Sequence, residues 1–207
     1  FRSDEKNNLY FTDKANHRVR VIGDLTEPAF YSKQLLQGYY QFDGAMQSVL
    51  FNQSVSSNPY LCDTVLVELH QSTTPYNLMF SEKVVMNING IAVCNFAHVH
   101  GTFYLAIKHR NSIAVWSANP ITISGNSFTY DFNIPSKAYG NQLAYINIFY
   151  NGIFSGDINQ DENVDLLDAS LLESDINTFQ YGYLSSDLNG DGNVDLLDSP
   201  VLETNIN

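Results

Sequence analysis

Oxygen-bearing side chains recur at fixed spacing near the C-terminal end of the sequence. Asp157, Asn159, Asp161, Asp165 and Asp168 occupy positions one, three, five, nine and twelve of one stretch. Asp187, Asn189, Asp191, Asp195 and Asp198 occupy the same positions of a second, and position seven is Asn163 or Asn193. The stretches DINQDENVDLLDASLLESDIN and DLNGDGNVDLLDSPVLETNIN agree at 13 of 21 positions, so the pattern is an internal repeat. A hard cation such as calcium takes six to eight oxygens at about 2.3–2.6 Å, and a twelve-residue loop supplies them by curling around the ion. The second loop has Gly192 at position six, where the chain must turn sharply; the first has Glu162. Two calcium sites are expected, one per loop.

Charge supports the metal. The formal net charge is −12, and from Gly156 onward there are 12 acids with no Lys, Arg or His. The first 155 residues balance 10 acids against 10 bases, so the whole imbalance lies in the tail. Without a cation those carboxylates repel one another. A module this small is poorly stabilised by burial alone, which links metal binding to folding. Each loop runs into leucines: Leu166, Leu167, Leu171 and Leu172, then Leu196, Leu197, Val201 and Leu202. Their spacing predicts a helix after each loop, with the leucine faces packed on each other. Pro200 is tolerated early in the second helix, where the N–H groups are free anyway.

Loop-then-helix, doubled, departs from an EF-hand in having Asp rather than Glu at position twelve and no helical pattern leading into the loop. It resembles the dockerin module of secreted bacterial proteins over residues 156–207, which implies an extracellular or cell-surface setting. Dockerins often recognise cohesins through hydroxyl residues at loop positions ten and eleven. Here those positions are Leu166–Leu167 and Leu196–Leu197, expected to pack inside the chain or against a neighbouring subunit.

Upstream, residues 34–155 carry short apolar or alternating runs such as TVLVELH, KVVMNI, FYLAIKHR and SIAVWS. Turn signals such as Asn58–Pro59, Asn89–Gly90, Asn119–Pro120 and Gly125–Asn126 stand between them. Short strands at regular spacing predict a β-sandwich. The fold class is therefore mainly β, a β-sandwich followed by a small α-helical two-loop module. The stretch also resembles a sandwich that precedes dockerin-like repeats in secreted Bacteroidota proteins. That likeness is carried by Gly38–Tyr40, Asp63–His70, Lys108–Pro120 and Ala138–Gln142. It brings a candidate O-glycan at Thr64, in Asp63–Thr64–Val65; Asn52–Gln53–Ser54 fits the weaker N-glycan signal. Residues 24–33 read as a linker. Residues 1–23 resemble one NHL repeat through Asn8, Leu9, Tyr10, Asp13, Asn16, His17, Arg18 and Val19, with a hairpin predicted from Leu9–Thr12 and Arg18–Ile22. One blade cannot close a propeller. The segment is therefore either the last blade of a longer protein, a hairpin on its own domain, or a strand offered to another subunit's sheet edge.

Cys62 and Cys94 are candidates for a disulfide closing a loop of roughly 32 residues, worth about 3 kcal/mol, with two buried thiols as the alternative. Catalytic signals are sparse. His98 and His100 could share a metal on a strand, while His70 and His109 read as structural. Paired carboxylates for glycoside hydrolysis would have to come from Asp43, Asp63, Glu68, Glu82 and Asp131. No G-x-S-x-G elbow, H-E-x-x-H helix or phosphate loop occurs in the sequence. The chain is thus read as no enzyme. The acidic balance argues against nucleic acid, and no apolar run is long enough to span a membrane. Tyr39, Tyr40, Tyr60, Tyr76 and Trp116 could stack on sugar rings, making polysaccharide a candidate partner. The leading expectation is a non-catalytic, calcium-stabilised extracellular structural or adhesive protein that self-associates through sheet edges or its N-terminal segment into a fibre. The alternative is an accessory module of a larger secreted protein that docks on a receptor or binds carbohydrate.

Overall fold

The computed structural model describes residues 2–3, 9–13, 18–22, 29–96, 99–124 and 127–206. Strands β1 (Arg2–Ser3), β2 (Leu9–Asp13) and β3 (Arg18–Ile22) form an antiparallel sheet of their own. Leu9 lies opposite Ile22 and Asp13 opposite Arg18, which is the hairpin expected there. The turn at residues 14–17, residues 24–28 of the expected linker, His98 and the Gly125–Asn126 turn lie outside the described residues.

The linker ends earlier than residue 33. Phe30–Lys33 forms β4, with Phe30 and Ser32 buried, paired antiparallel with β7 (Ile91–Cys94) and parallel with β11 (Phe128–Asp131). Its alternation of buried and exposed residues is the period of two that a sheet demands, short enough to pass for linker.

The largest ladder joins β5 (Leu61–Gln71) to β6 (Leu78–Asn87) and to β8 (His100–His109). β9 (Ser112–Trp116) and β10 (Ile121–Ser124) both pair with β8. β6 meets β7 only at Met86 opposite Ala92, so the sheet turns a corner there and folds over itself. β-Branched and aromatic residues fill the two inward faces. Val65, Val67 and Leu69 of β5, Leu105 and Ile107 of β8, and Phe30, Ala92 and Cys94 from the other layer share one core. Cys62 and Cys94 are free buried thiols in that core rather than a bridge, and burial pushes Cys94 up to about 12. A hairpin of β12 (Ala144–Asn147) and β13 (Tyr150–Gly152) leads to the tail.

The tail holds a second core, made by Ile158, Val164, Leu172, Leu188, Val194 and Leu202. After the short α1 (Val49–Asn52) of the sandwich, its helices are α2 (Leu166–Asn177) and α3 (Ser199–Glu203). α3 is shorter than expected, beginning three residues after Leu196, with Pro200 in its first turn. Of the leucine rows only Leu172 and Leu202 are buried, with Val201 partly so. The expected leucine-on-leucine helix contact is thus reduced to one residue from each row and its neighbours.

Tail and sandwich meet where Gly38 faces the second loop. A Cβ there would lie 2.1 Å from the Leu188 carbonyl oxygen, so only glycine permits this approach. Gly38→Ala should lower the unfolding free energy by roughly 1–3 kcal/mol through overpacking, measured by urea denaturation in saturating calcium.

Candidate metal centre

Both loops close by the same hydrogen bonds, so the repeat in sequence is a repeat in structure. In the first, Asp168 Oδ1 accepts from the Ile158 and Asn159 amides at 2.8 and 3.1 Å, and Oδ2 accepts from Asp165 N at 3.0 Å. In the second, Asp198 Oδ1 accepts from Leu188 N and Asn189 N at 2.7 and 2.9 Å, and Oδ2 from Asp195 N at 2.9 Å. Position twelve thereby ties the loop's end to its beginning. At position one, Asp157 accepts from Asp161 N and Glu162 N, and Asp187 from Gly190 N and Gly192 N. Asp161 and Asp191 accept from Asn163 N and Asn193 N. Asp165 caps α2 through Leu167 N, and Asp195 bonds Leu197 N in the same way.

These bonds bury four carboxylates. Asp157, Asp168, Asp187 and Asp198 are at most 1% exposed. Burial pushes Asp157 up to about 6 against the pull of the Glu162 and Asp161 amides, and Asp168 adds to the rise. Asp187 also stands at about 6, raised by burial and by the Asp198 charge. Among the described residues no three carboxylate, imidazole or thiol groups converge on one point. Each loop instead joins two buried carboxylates to amide and main-chain oxygens. Gln53 Oε1, buried beside the second loop, has no hydrogen-bond partner. An all-oxygen set with paired buried carboxylates fits a hard divalent cation better than a transition metal. Asp157, Asn159, Asp161, Asn163 and Asp168 would hold it in one loop, and Asp187, Asn189, Asp191, Asn193 and Asp198 in the other. Asp165 and Asp195, the expected ligands at position nine, accept from the Leu167 and Leu197 amides; Asp165 thereby caps α2, whereas Asp195 lies four residues ahead of α3.

Positions four and six of both loops need a left-handed backbone. Gly190 and Gly192 supply it freely in the second, whereas Gln160 and Glu162 adopt φ of 61° and 70° in the first.

The second loop is welded to the sandwich, a feature the sequence did not signal. Asn111 Nδ2 donates to the Asp187 carbonyl at 3.2 Å, Asn52 Nδ2 donates to the Gly190 carbonyl at 3.1 Å, and Gln53 Nε2 donates to Asp187 Oδ2. Behind them Asp63, fully buried, takes bonds from His109 Nε2 and Arg110 Nε at 3.1 Å and from the Tyr183 hydroxyl. The Arg110 guanidinium lies 4.3 Å from the Tyr183 ring centre. Burial works against the Asp63 charge, but the His109 hydrogen bond and charge, Arg110 and Tyr183 outweigh it and hold the carboxyl well below the usual range.

Most residues proposed for other chemistry have structural duties. Glu68 is buried against His70 and Lys108, Glu82 accepts from Asn95 N, and Asp131 accepts from Asn133 N. Asp43 sits in a turn with φ 59°. His100 is exposed at the start of β8. The Thr64 hydroxyl lies 3.0 Å from the Tyr183 hydroxyl, at the exposed edge of the seam. Of the five aromatic candidates, Tyr39 is buried, Tyr40 packs on Tyr150 and Tyr60 is exposed. Tyr76 and Trp116 line a groove with Tyr104 and Tyr139, which sequence had not singled out.

This loop architecture belongs to a known domain. Residues 155–207 match the dockerin type I domain. Such domains bind calcium and are non-catalytic docking modules. No curated protein matches the chain in sequence. A chain of an interface mutant of the type II cohesin–X-dockerin complex from Acetivibrio cellulolyticus is similar in fold. It has 13% identity and a TM-score of 0.50 over 86% of this chain and 95% of that one. A second mutant of that complex, also 13% identical, gives a TM-score of 0.44 over 86% and 94%. The first overlay covers more of this chain than either part holds, so it extends across sandwich and dockerin module together.

Two outcomes test the site. EGTA should lower the melting temperature, and Asp157→Ala and Asp187→Ala should each weaken calcium binding by calorimetry; Asp187→Ala should also loosen the contact with the sandwich, because Gln53 Nε2 bonds the carboxylate that is removed. The Asp63 carboxyl, being depressed, contributes its full stability above its unfolded value of about 3.9 and loses it as pH falls below that. Asp63→Asn should therefore cost roughly 3 kcal/mol at pH 6 and flatten the loss of stability below about pH 4, read from urea midpoints.

Proposed function

We propose that the chain is a calcium-stabilised, extracellular, non-catalytic docking unit whose dockerin module, loaded with two calcium ions, presents leucines to a cohesin-like receptor. The observation that carries this reading is the exposure of Leu166, Leu167, Leu196 and Leu197, at 72, 60, 75 and 66%. Of the two expected places for them, inside the chain or against a neighbouring subunit, the first is not where they lie. Instead the position-twelve carboxylate turns inward beside each pair, which leaves the leucines facing solvent at equivalent places in both repeats. Apolar side chains displayed in register mark an interaction surface, and the seam at Asp187 fixes that surface to a rigid sandwich. A cell-surface setting agrees with dockerin and cohesin systems in general, and no helix among the described residues is long and apolar enough to cross a membrane. The leucines ask for an apolar receptor face where hydroxyl residues would ask for a polar one.

A second reading, self-assembly into a fibre, is favoured by one feature. From Leu78 to Val85 strand β6 has no ladder partner except β5 among the described residues, and Leu78, Met79 and Phe80 are 39–50% exposed there. An apolar open edge can accept a strand from a neighbouring copy.

Biolayer interferometry against purified type I and type II cohesins, with and without calcium, distinguishes the two. Calcium-dependent binding should fall at least tenfold in the Leu166→Ser/Leu196→Ser double variant with the melting temperature unchanged. Absence of binding to either cohesin type, with filaments seen by electron microscopy that vanish when residues 1–23 are deleted, would favour the fibre.

A further inference from the structure

Two adjoining hollows on the sandwich form one groove. One, of about 330 Å³, is walled by Tyr76, Tyr104, Trp116, Ser117 and Tyr139. The other, of about 360 Å³, shares Trp116 and Tyr139 and continues past Gln142 to Thr204 and Asn205 of the dockerin module. Among the described residues the lining holds five aromatic side chains, two amides and two aliphatic hydroxyls beside a few aliphatics, and no charged residue.

The aromatic walls are held in place from behind. The His70 ring packs 4.4 Å from Trp116, its Nε2 bonded to Glu68 at 3.0 Å and its Nδ1 to the Tyr76 carbonyl at 2.9 Å. One histidine thus braces two walls. Tyr76 is kept at φ 57°, an unusual conformation for a bulky residue, which surroundings must enforce. Its ring meets Tyr104 edge-on at 5.7 Å. Across the groove, Gly140 and Asn141 turn through positive φ and set Tyr139 and Gln142 on the rim. Tyr139 is 67% exposed, an open platform rather than core.

We propose that this groove binds a neutral glycan chain. Pyranose rings carry apolar C–H faces that lie against aromatic rings, and hydroxyl edges that bond amides and hydroxyls. The groove supplies those two kinds of contact and no counter-charge. Acidic glycans and phosphorylated ligands find no cation in it and meet a protein of net charge −12. An extended peptide finds no ladder either, because main-chain donors of the floor are taken: Ile113 N by Phe154 O, Ser117 N by Leu105 O and Ala114 N by Glu162. The inference is independent of what the leucines bind.

Trp116 is the only tryptophan in the chain, so its fluorescence reports on the groove directly. Titrating the calcium-loaded chain with cellohexaose, xylohexaose, mannohexaose and laminarihexaose should give a saturable emission change with at least one of them. Tyr139→Ala and Tyr76→Ala should each weaken that binding at least tenfold with unchanged circular dichroism. Tyr181→Ala, an exposed tyrosine outside the groove, should leave it as it was. No saturable response to any of the four sugars would overturn the proposal. So would a response confined to hexagalacturonate or to a proline-rich peptide, or binding retained in the Tyr76→Ala/Tyr139→Ala double variant.

Discussion

Two pairs of buried carboxylates, Asp157 with Asp168 and Asp187 with Asp198, sit in a 52-residue tail that contains no basic side chain. Carboxylates are not brought out of water in pairs without compensation. Main-chain amides supply part of it and position the oxygens, and a divalent cation held there would supply the charge. The small core beneath, from Ile158 to Leu202, is assembled by the loop closures that those amide bonds produce. Helix, loop and core in this part of the molecule all follow from where negative charge is buried.

The two loops are alike in sequence yet differ in setting. The second is held by Asn52, Gln53 and Asn111 and lies against Gly38, while the first reaches the sandwich through Glu162 Oε2, which accepts from Ala114 N at 3.1 Å. The second has glycine at both left-handed positions; the first bends Gln160 and Glu162 into them. Metal affinity follows loop rigidity as well as ligand count, so near-identical donor sets need not behave identically.

Much of this was legible in the residues. The spacing of Asp157 through Asp168 announced the loop because its closing bonds join residues near one another in the chain, and β5 and β8 announced themselves through alternation. What stayed hidden was non-local. Phe30–Lys33 is too short to declare itself a strand without β7 and β11 beside it. The leucines read as a helix-packing row because spacing records a face without saying what covers it. Asp63 was weighed as a catalytic carboxylate, since nothing in DTV reveals that His109, Arg110 and Tyr183 close over it. The groove escaped for the same reason: Tyr76, Trp116 and Tyr139 lie far apart in the chain and meet only through β8, β9 and the turn at Gly140.

Asn205 Nδ2 bonds both Gln37 Oε1 at 2.6 Å and the Ser155 carbonyl at 2.7 Å. The last turn of the dockerin module is thereby fastened beside the residue where that module starts. Mechanically, such a clasp makes the module a closed ring. Under the proposed docking, tension arriving from the sandwich and leaving through the leucine face would divide between the covalent path at Ser155 and this amide clamp, rather than peeling the helices away one after the other.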